Sequence, residues 1–195
     1  DFIQLATHDS SVYVKWWDVH FMPNGTETDH LLFKRIIEGD NTIGKTIELT
    51  GNNARPTDIG HNSRISVDGN YVYATWSEYS HLPSSQMSVF LRASSDGGFS
   101  FGDAKDLNNQ TTTLSGRNDM TDAQITTYEN NVYVAGGVLS PALGILFGVS
   151  TDNGKTFDSI TNIDAEVLPE FPFTIPILLI GIVSVIGFYR MKFRK

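Results

Sequence analysis

The chain of 195 residues carries 22 acidic against 14 basic side chains, a formal charge of −8, and no cysteine. The missing thiols exclude disulfide scaffolds, zinc–cysteine sites, iron–sulfur clusters and thiol catalysis, and leave any chemistry to oxygen and imidazole groups. With 40% hydrophobic, 11% aromatic and only 18% charged residues, and with 17 glycines and 7 prolines, the composition fits a globular, turn-rich β protein and not a disordered one.

The chain opens DFIQLATHDSSVYV, with neither a starting Met nor an apolar leader, so Asp1 is expected to be a mature terminus or an internal cut. From there a pattern recurs. The Val-Tyr pairs begin at 12, 72 and 132, and each follows a short apolar segment (around Leu5, Ile65 and Ile125) and a polar turn rich in Asp, Asn, Ser and Gly. Alternating character on both sides of the turn predicts a hairpin, made three times at a period of 60. Trp16 and Trp76 occupy equivalent places, and the third copy has Gly136 there.

A second motif follows each hairpin. Ser94-Ser95-Asp96-Gly97-Gly98-Phe99-Ser100-Phe101 and Ser150-Thr151-Asp152-Asn153-Gly154-Lys155-Thr156-Phe157 share the form Ser-x-Asp-x-Gly-x-Ser/Thr-aromatic. Asp can accept from backbone N–H groups one to three residues on, and Gly98 and Gly154 can supply φ > 0 without a Cβ clash. The hydroxyl can tie the turn to its neighbour, and Phe101 or Phe157 can return between adjacent sheets. In the first copy Gly39 to Ile47 reads as a decayed version, with Ile47 in place of the aromatic. Its Gly-Lys-Thr lacks the upstream glycine spacing of a phosphate loop.

These residues resemble the Asp-box, the bacterial neuraminidase repeat of sialidase-like β-propellers. The resemblance covers about 160 residues and implies an all-β fold: a partial sialidase-like propeller of about three four-stranded antiparallel blades, roughly 1–56, 61–115 and 120–163. Sialidase-like propellers have six blades, so three would be half of one. The boxes imply fold and not activity.

The end of the chain differs. A linker at 164–170 leads to FPFTIPILLIGIVSVIGFY (171–189), nineteen residues without a charge, and to the basic tail RMKFRK (190–195). As a helix this stretch measures about 28 Å, close to the ~30 Å hydrocarbon core of a bilayer. A transmembrane helix is expected, with the basic tail cytoplasmic and the body outside. The first 189 residues then hold 10 basic against 22 acidic side chains, a charge of −12 that argues against nucleic acid as a partner. Pro169-Glu170-Phe171, the span and the terminal basic cluster resemble the PEF-type C-terminal sorting signals of archaeal surface proteins. That resemblance implies processing by an archaeosortase; a permanent single-pass anchor is the alternative. Two sequons, Asn24-Gly25-Thr26 and Asn109-Gln110-Thr111, are glycan acceptors on an exported chain.

In the catalytic sialidases the family resemblance implies three arginines for a substrate carboxylate, a Tyr–Glu nucleophile pair and an acid/base Asp. No catalytic residue is assigned here. Arg64 and Arg117 sit near blade starts and, with Asp119, are the weak binding candidates; Arg35 and Arg92 read as solvated edge charges. Glu78 and Tyr79 are neighbours on a strand and face opposite ways. The histidines at 8, 20, 30, 61 and 81 form no ligand spacing and read as scattered surface residues, so no metal and no cofactor is expected. The expected function is a cell-surface, membrane-anchored, non-catalytic module that binds glycans or envelope proteins. The alternatives are an anchored exo-glycosidase completed by further blades and an accessory subunit of a membrane enzyme.

Overall fold

A computed structural model describes residues 3–21, 23, 25, 27–39, 42–51, 62–79, 87–108, 120–138, 144–157 and 160–163. The strands are β1 (Gln4–His8), β2 (Ser11–Phe21), β3 (Glu27–Ile37), β4 (Thr42–Ile43), β5 (Ile47–Glu48), β6 (Ser63–Asp68), β7 (Tyr71–Tyr79), β8 (Met87–Ser94), β9 (Lys105–Asp106), β10 (Met120–Tyr128), β11 (Asn131–Val138), β12 (Gly144–Ser150) and β13 (Ile160–Ile163). They build three antiparallel meanders: β1-β2-β3-β4 with β5 also on β3, then β6-β7-β8-β9, then β10-β11-β12-β13. In sheet 1 the fourth position is shared by two short strands. All but the last residue of β13 fall within one compact unit, Asp1–Asn162. Among the described residues no helix is long and apolar enough to cross a membrane. The expected span 171–189, the linker and the basic tail lie outside them.

Each repeat opens with the expected hairpin. His8 pairs with Ser11, Asp68 with Tyr71 and Tyr128 with Asn131, closing two-residue turns whose first residues, Asp9, Gly69 and Glu129, hold positive φ. Alternation then gives each second strand two unlike faces. Tyr13, Tyr73 and Tyr133 lie on one, the tyrosine face; Val12, Val72 and Val132 lie on the other, the valine face.

Packing follows a single rule. The tyrosine face of sheet 1 (Tyr13, Trp17, Leu31, Phe33) meets the valine face of sheet 2 (Val72, Ala74, Trp76) in one buried cluster. The tyrosine face of sheet 2 (Tyr73, Val89, Leu91) meets the valine face of sheet 3 (Val132, Val134, Leu146) in a second. Sheet 2 is therefore apolar on both faces, and β7 is buried from Val72 to Glu78. The first strands of neighbouring sheets, β1, β6 and β10, run beside one another.

The register settles which residues are equivalent. Gly44 N–H donates to Arg35 O at 2.8 Å as Gly102 N–H does to Ala93 O at 3.0 Å, and Leu49 N–H to Leu31 O as Leu107 N–H to Val89 O. Since Gly44 matches Gly102, the residue at the place of Phe101 is Ile43, not Ile47. Ile36 lies opposite Ile43 and Ile37 opposite Thr42, so β4 pairs directly with the end of β3. Trp16 and Trp76 are equivalent as expected, opposite Leu32 and Phe90. Their surroundings differ: Trp76 is buried under sheet 1, whereas Trp16 lies on the valine face of sheet 1 with Leu5 (65% exposed) and Ile43 (64%), where among the described residues no sheet covers it.

Candidate functional site

The two aspartate turns follow β8 and β12 and share one hydrogen-bond pattern. Ser94 Oγ donates to Asp96 Oδ1 at 2.7 Å and accepts from Gly98 N–H at 2.9 Å; Ser150 Oγ does the same with Asp152 and Gly154 at 2.8 and 2.8 Å. Asp96 also accepts from the N–H groups of Phe99 and Ser100 and from Ser100 Oγ at 2.6 Å. Asp152 accepts from Thr156 N–H and from Thr156 Oγ1 at 2.7 Å. Burial is the largest single influence on Asp96 and opposes its ionisation, yet the donors of Ser100, Ser94 and Phe99 together outweigh it and bring the carboxyl down to about 2. The Thr156 hydroxyl and N–H hold Asp152 well below the usual carboxylate range. With every near donor spent inside the turn, these carboxylates serve structure.

Each turn also docks on the preceding sheet. A Cβ on Gly98 would come within 2.9 Å of Phe33 and 3.5 Å of Tyr13, and one on Gly154 within 3.1 Å of Tyr73. Both glycines hold positive φ, 86° and 76°. Phe101 meets Phe33 edge-on at 4.9 Å, and Phe157 is buried against sheet 2. A cation from the preceding sheet completes each seam. Arg35 donates to Gly97 O at 3.0 Å and to Ser11 Oγ, and lies 4.8 Å over the Phe99 ring. Lys105 donates to Gly154 O at 2.7 Å and to Lys155 O. Arg35 and Arg92 are thus not solvated edge charges. Arg35 is half-buried in a seam, and Arg92 crosses to Glu48 O at 3.3 Å with its Nε buried. Sequence alternation could not show this, because a guanidinium reaches across a seam while its stem obeys the pleat.

At the opposite end of the strands from the aspartate turns, β6 and β10 exchange polar contacts. Arg64 Nε donates to Gln124 Oε1 at 2.9 Å and Nη1 to Ser63 O at 3.0 Å. Asn62 Nδ2 donates to Asp122; farther along the same two strands, toward the aspartate-turn end, the Ser66 and Thr127 hydroxyls meet at 3.0 Å. Asp122, at φ 54° in a break of register between Thr121 and Gln124, is turned out of the ladder by a bulge. Of the sequence candidates, Arg64 is therefore placed at this line; Arg117 and Asp119 lie outside the described residues, as does the motif Pro169, Glu170, Phe171. The sequence reading named neither Gln124 as the partner of Arg64 nor Asn62 as that of Asp122, although each pair stands one repeat apart.

Behind Arg64 lies a buried amine. Lys15 is fully buried between sheets 1 and 2; its Nζ donates to Ser63 Oγ, which also accepts from Trp17 Nε1 at 3.2 Å. Burial, with Arg64 nearby, lowers the amine to about 7. The same positions in sheet 2 hold Thr75 and Ser77, whose buried hydroxyls have no partner. Glu78 accepts from Trp76 Nε1 at 2.9 Å within the same seam.

His20 and His30 sit on β2 and β3, and their rings meet edge-on at 5.6 Å; His20 pairs with Asp18 at 3.0 Å and His30 with Glu48 at 2.7 Å. His8 lies beside Asp9, and His61 and His81 are outside the described residues. Among the described residues no group of three or more His, Asp or Glu could hold a metal ion.

Solved structures share this fold over most of the chain. The Hadza microbial sialidase Hz136 superposes with TM-score 0.54 at 13% identity over 83% of this chain and 37% of its own. The fold is sialidase-like. A mutant of Trypanosoma rangeli sialidase displaying trans-sialidase activity gives 0.54 at 12% over 82% of this chain and 30% of its own. Zg3597, a family 117 glycoside hydrolase of the marine bacterium Zobellia galactanivorans, gives 0.53 at 13% over 82% and 54%. The chain spans about a third to a half of these relatives. No family model and no curated protein matches it. At such identities the shared property is the sialidase-like fold, carried by the three sheets.

Proposed function

We propose that the protein is a surface-displayed, sialidase-like β-propeller module that binds glycans or envelope proteins and is held at the membrane through 171–189. The aspartate turns are read as Asp-boxes. The observation that carries the reading is the polar line at the end opposite these turns. There Arg64 faces Gln124, and Asn62 and Asp122 add further donor and acceptor groups on adjoining first strands. A guanidinium held in place by Gln124 and the Ser63 carbonyl suits an acidic or hydroxyl-rich ligand. Glu78, the carboxylate considered for a nucleophile pair, is buried and bonded to Trp76, which favours binding over hydrolysis.

The structural neighbours, two sialidases and a glycoside hydrolase, favour a second reading: an anchored exo-glycosidase whose remaining groups come from further blades. One set of assays separates the two. Full-length protein in detergent is titrated with sialyllactose and lactose, and tested for release of a fluorescent leaving group from aryl sialosides, hexosides and hexosaminides. Sialyllactose binding in excess of lactose binding that Arg64→Ala removes, without turnover, supports the module; turnover supports the enzyme; an excess for sialyllactose that is indifferent to Arg64→Ala overturns the proposed face. Protease treatment of intact cells should remove the body and leave the basic tail. Archaeosortase processing would appear as a mature form lacking the tail.

A further inference from the structure

The two seams that join the sheets end in grooves at repeat-equivalent places, and the grooves are unlike. The first, between sheets 1 and 2, has a volume of only about 60 Å³ and is lined by Arg35, Lys45, Ile47, Gly98 and Phe99. The second, between sheets 2 and 3, has about 320 Å³ and is lined by Tyr71, Ala93, Asp103, Lys105, Asn153 and Lys155, among others. The register gives the correspondence. Arg35 lies opposite Tyr13 and Ala93 opposite Tyr73; Ile47 lies opposite Phe33 and Lys105 opposite Leu91. Gly98 matches Gly154, and Phe99 matches Lys155. The first groove is narrow because a guanidinium fills it, bonded to Ser11 and Gly97 O and lying over Phe99. In the second an alanine methyl stands where that guanidinium begins, and the space stays open.

We propose that this open groove binds a neutral saccharide of one or two rings. The volume lies at the lower end of small-molecule sites. Charge selects neutrality: Lys105, Lys155 and Asp103 all line the groove and Asp152 of the adjoining turn acts on Lys105, so a cation copying Arg35 would meet two ammonium groups and an anion would meet carboxylates. The wall offers donors on Lys155 and an acceptor on Asp103, the mixture that hydroxyl groups satisfy. Asn153, held at φ 60°, lies in the same wall with its Oδ1 buried and without a partner. Tyr71, stacked on Tyr73 at 6.2 Å and 12°, gives a fixed aromatic surface for the C–H face of a sugar ring. The groove is at the aspartate-turn end of the strands, away from Arg64, and does not depend on the proposed function of that line.

The test is saturation-transfer NMR and calorimetry on the full-length protein in a sugar-free zwitterionic detergent, with lactose, maltose and N,N′-diacetylchitobiose as probes. At least one should bind with Kd on the order of 1 mM. Ala93→Met, whose long neutral side chain would occupy the groove without adding a charge, should weaken it at least tenfold in a folded protein, and Asp103→Ala, at an exposed position, should weaken it several-fold in a folded protein. Arg64→Ala should leave it unchanged. Binding that survives both groove variants, loss of binding with Arg64→Ala alone, or no binding by any of the three sugars would overturn the proposal.

Discussion

Lys15 is the residue whose burial has the largest consequence for pH. Its amine titrates near 10.5 in an unfolded chain and about 7 in the folded one, because the seam withholds water and the Arg64 charge stands nearby. Between these values the unfolded chain holds a proton that the folded chain lacks. Stability therefore rises with pH from about 7 to about 10.5, by up to roughly 5 kcal/mol, and below 7 the full cost of a buried charge remains. Lys15→Met should raise the urea midpoint at pH 7 and flatten its climb between pH 7 and 9; Ser63 Oγ keeps the Trp17 indole as a donor. A midpoint that falls would show the amine to be stabilising. The aspartate turns respond at the other extreme of pH. Asp96 has a folded value of about 2, so the stability it adds is complete above about 4 and is lost as pH falls through 2. Amide exchange at Phe99 and Ser100 should quicken over that window in the wild type, and at neutral pH in Asp96→Asn.

A turn of eight residues joins sheets only because its glycine leaves room. Gly98→Ala and Gly154→Ala each impose positive φ on a side chain and drive a Cβ toward Phe33 or Tyr73, so each should cost about 1–3 kcal/mol, read as a lower Tm. Gly69→Ala, with positive φ but open space around its Cβ, should cost less. At this scale the sequence was most legible: the hairpins, their period and the inward return of Phe101 and Phe157 follow from alternation and from turn chemistry that local residues dictate. Ile47 was mistaken for Ile43 because the first fourth strand is broken in two, and only hydrogen-bond register counts through a break. Partners across seams were hidden for a different reason. Arg35 reaches Gly97 and Lys105 reaches Gly154, distances of 62 and 49 residues that no local pattern encodes. The Arg64 line was half visible, since its partner Gln124 stands one period away.

Across the whole molecule, equal residues are unequal in energy according to what covers them. Trp76→Ala empties a buried site and strips Glu78 of its indole donor, and should cost about 3–5 kcal/mol. Trp16→Ala, on the uncovered valine face, should cost about 1 kcal/mol or less. Denaturant titrations of the two variants in parallel would measure the gap, and a similar loss in both would mean that another sheet sits on Trp16 in solution. The two faces also give the assembly a grammar. A sheet is read by its successor through one side and by its predecessor through the other, so a duplicated unit always inserts in phase and never backwards. The wording at each joint, however, is written half by one unit and half by the next: Arg35 suits Phe99, and Ala93 with Lys105 suits Lys155. A unit moved to a new position would slot into the series yet mismatch at both borders, until the opposite half of each joint was copied with it.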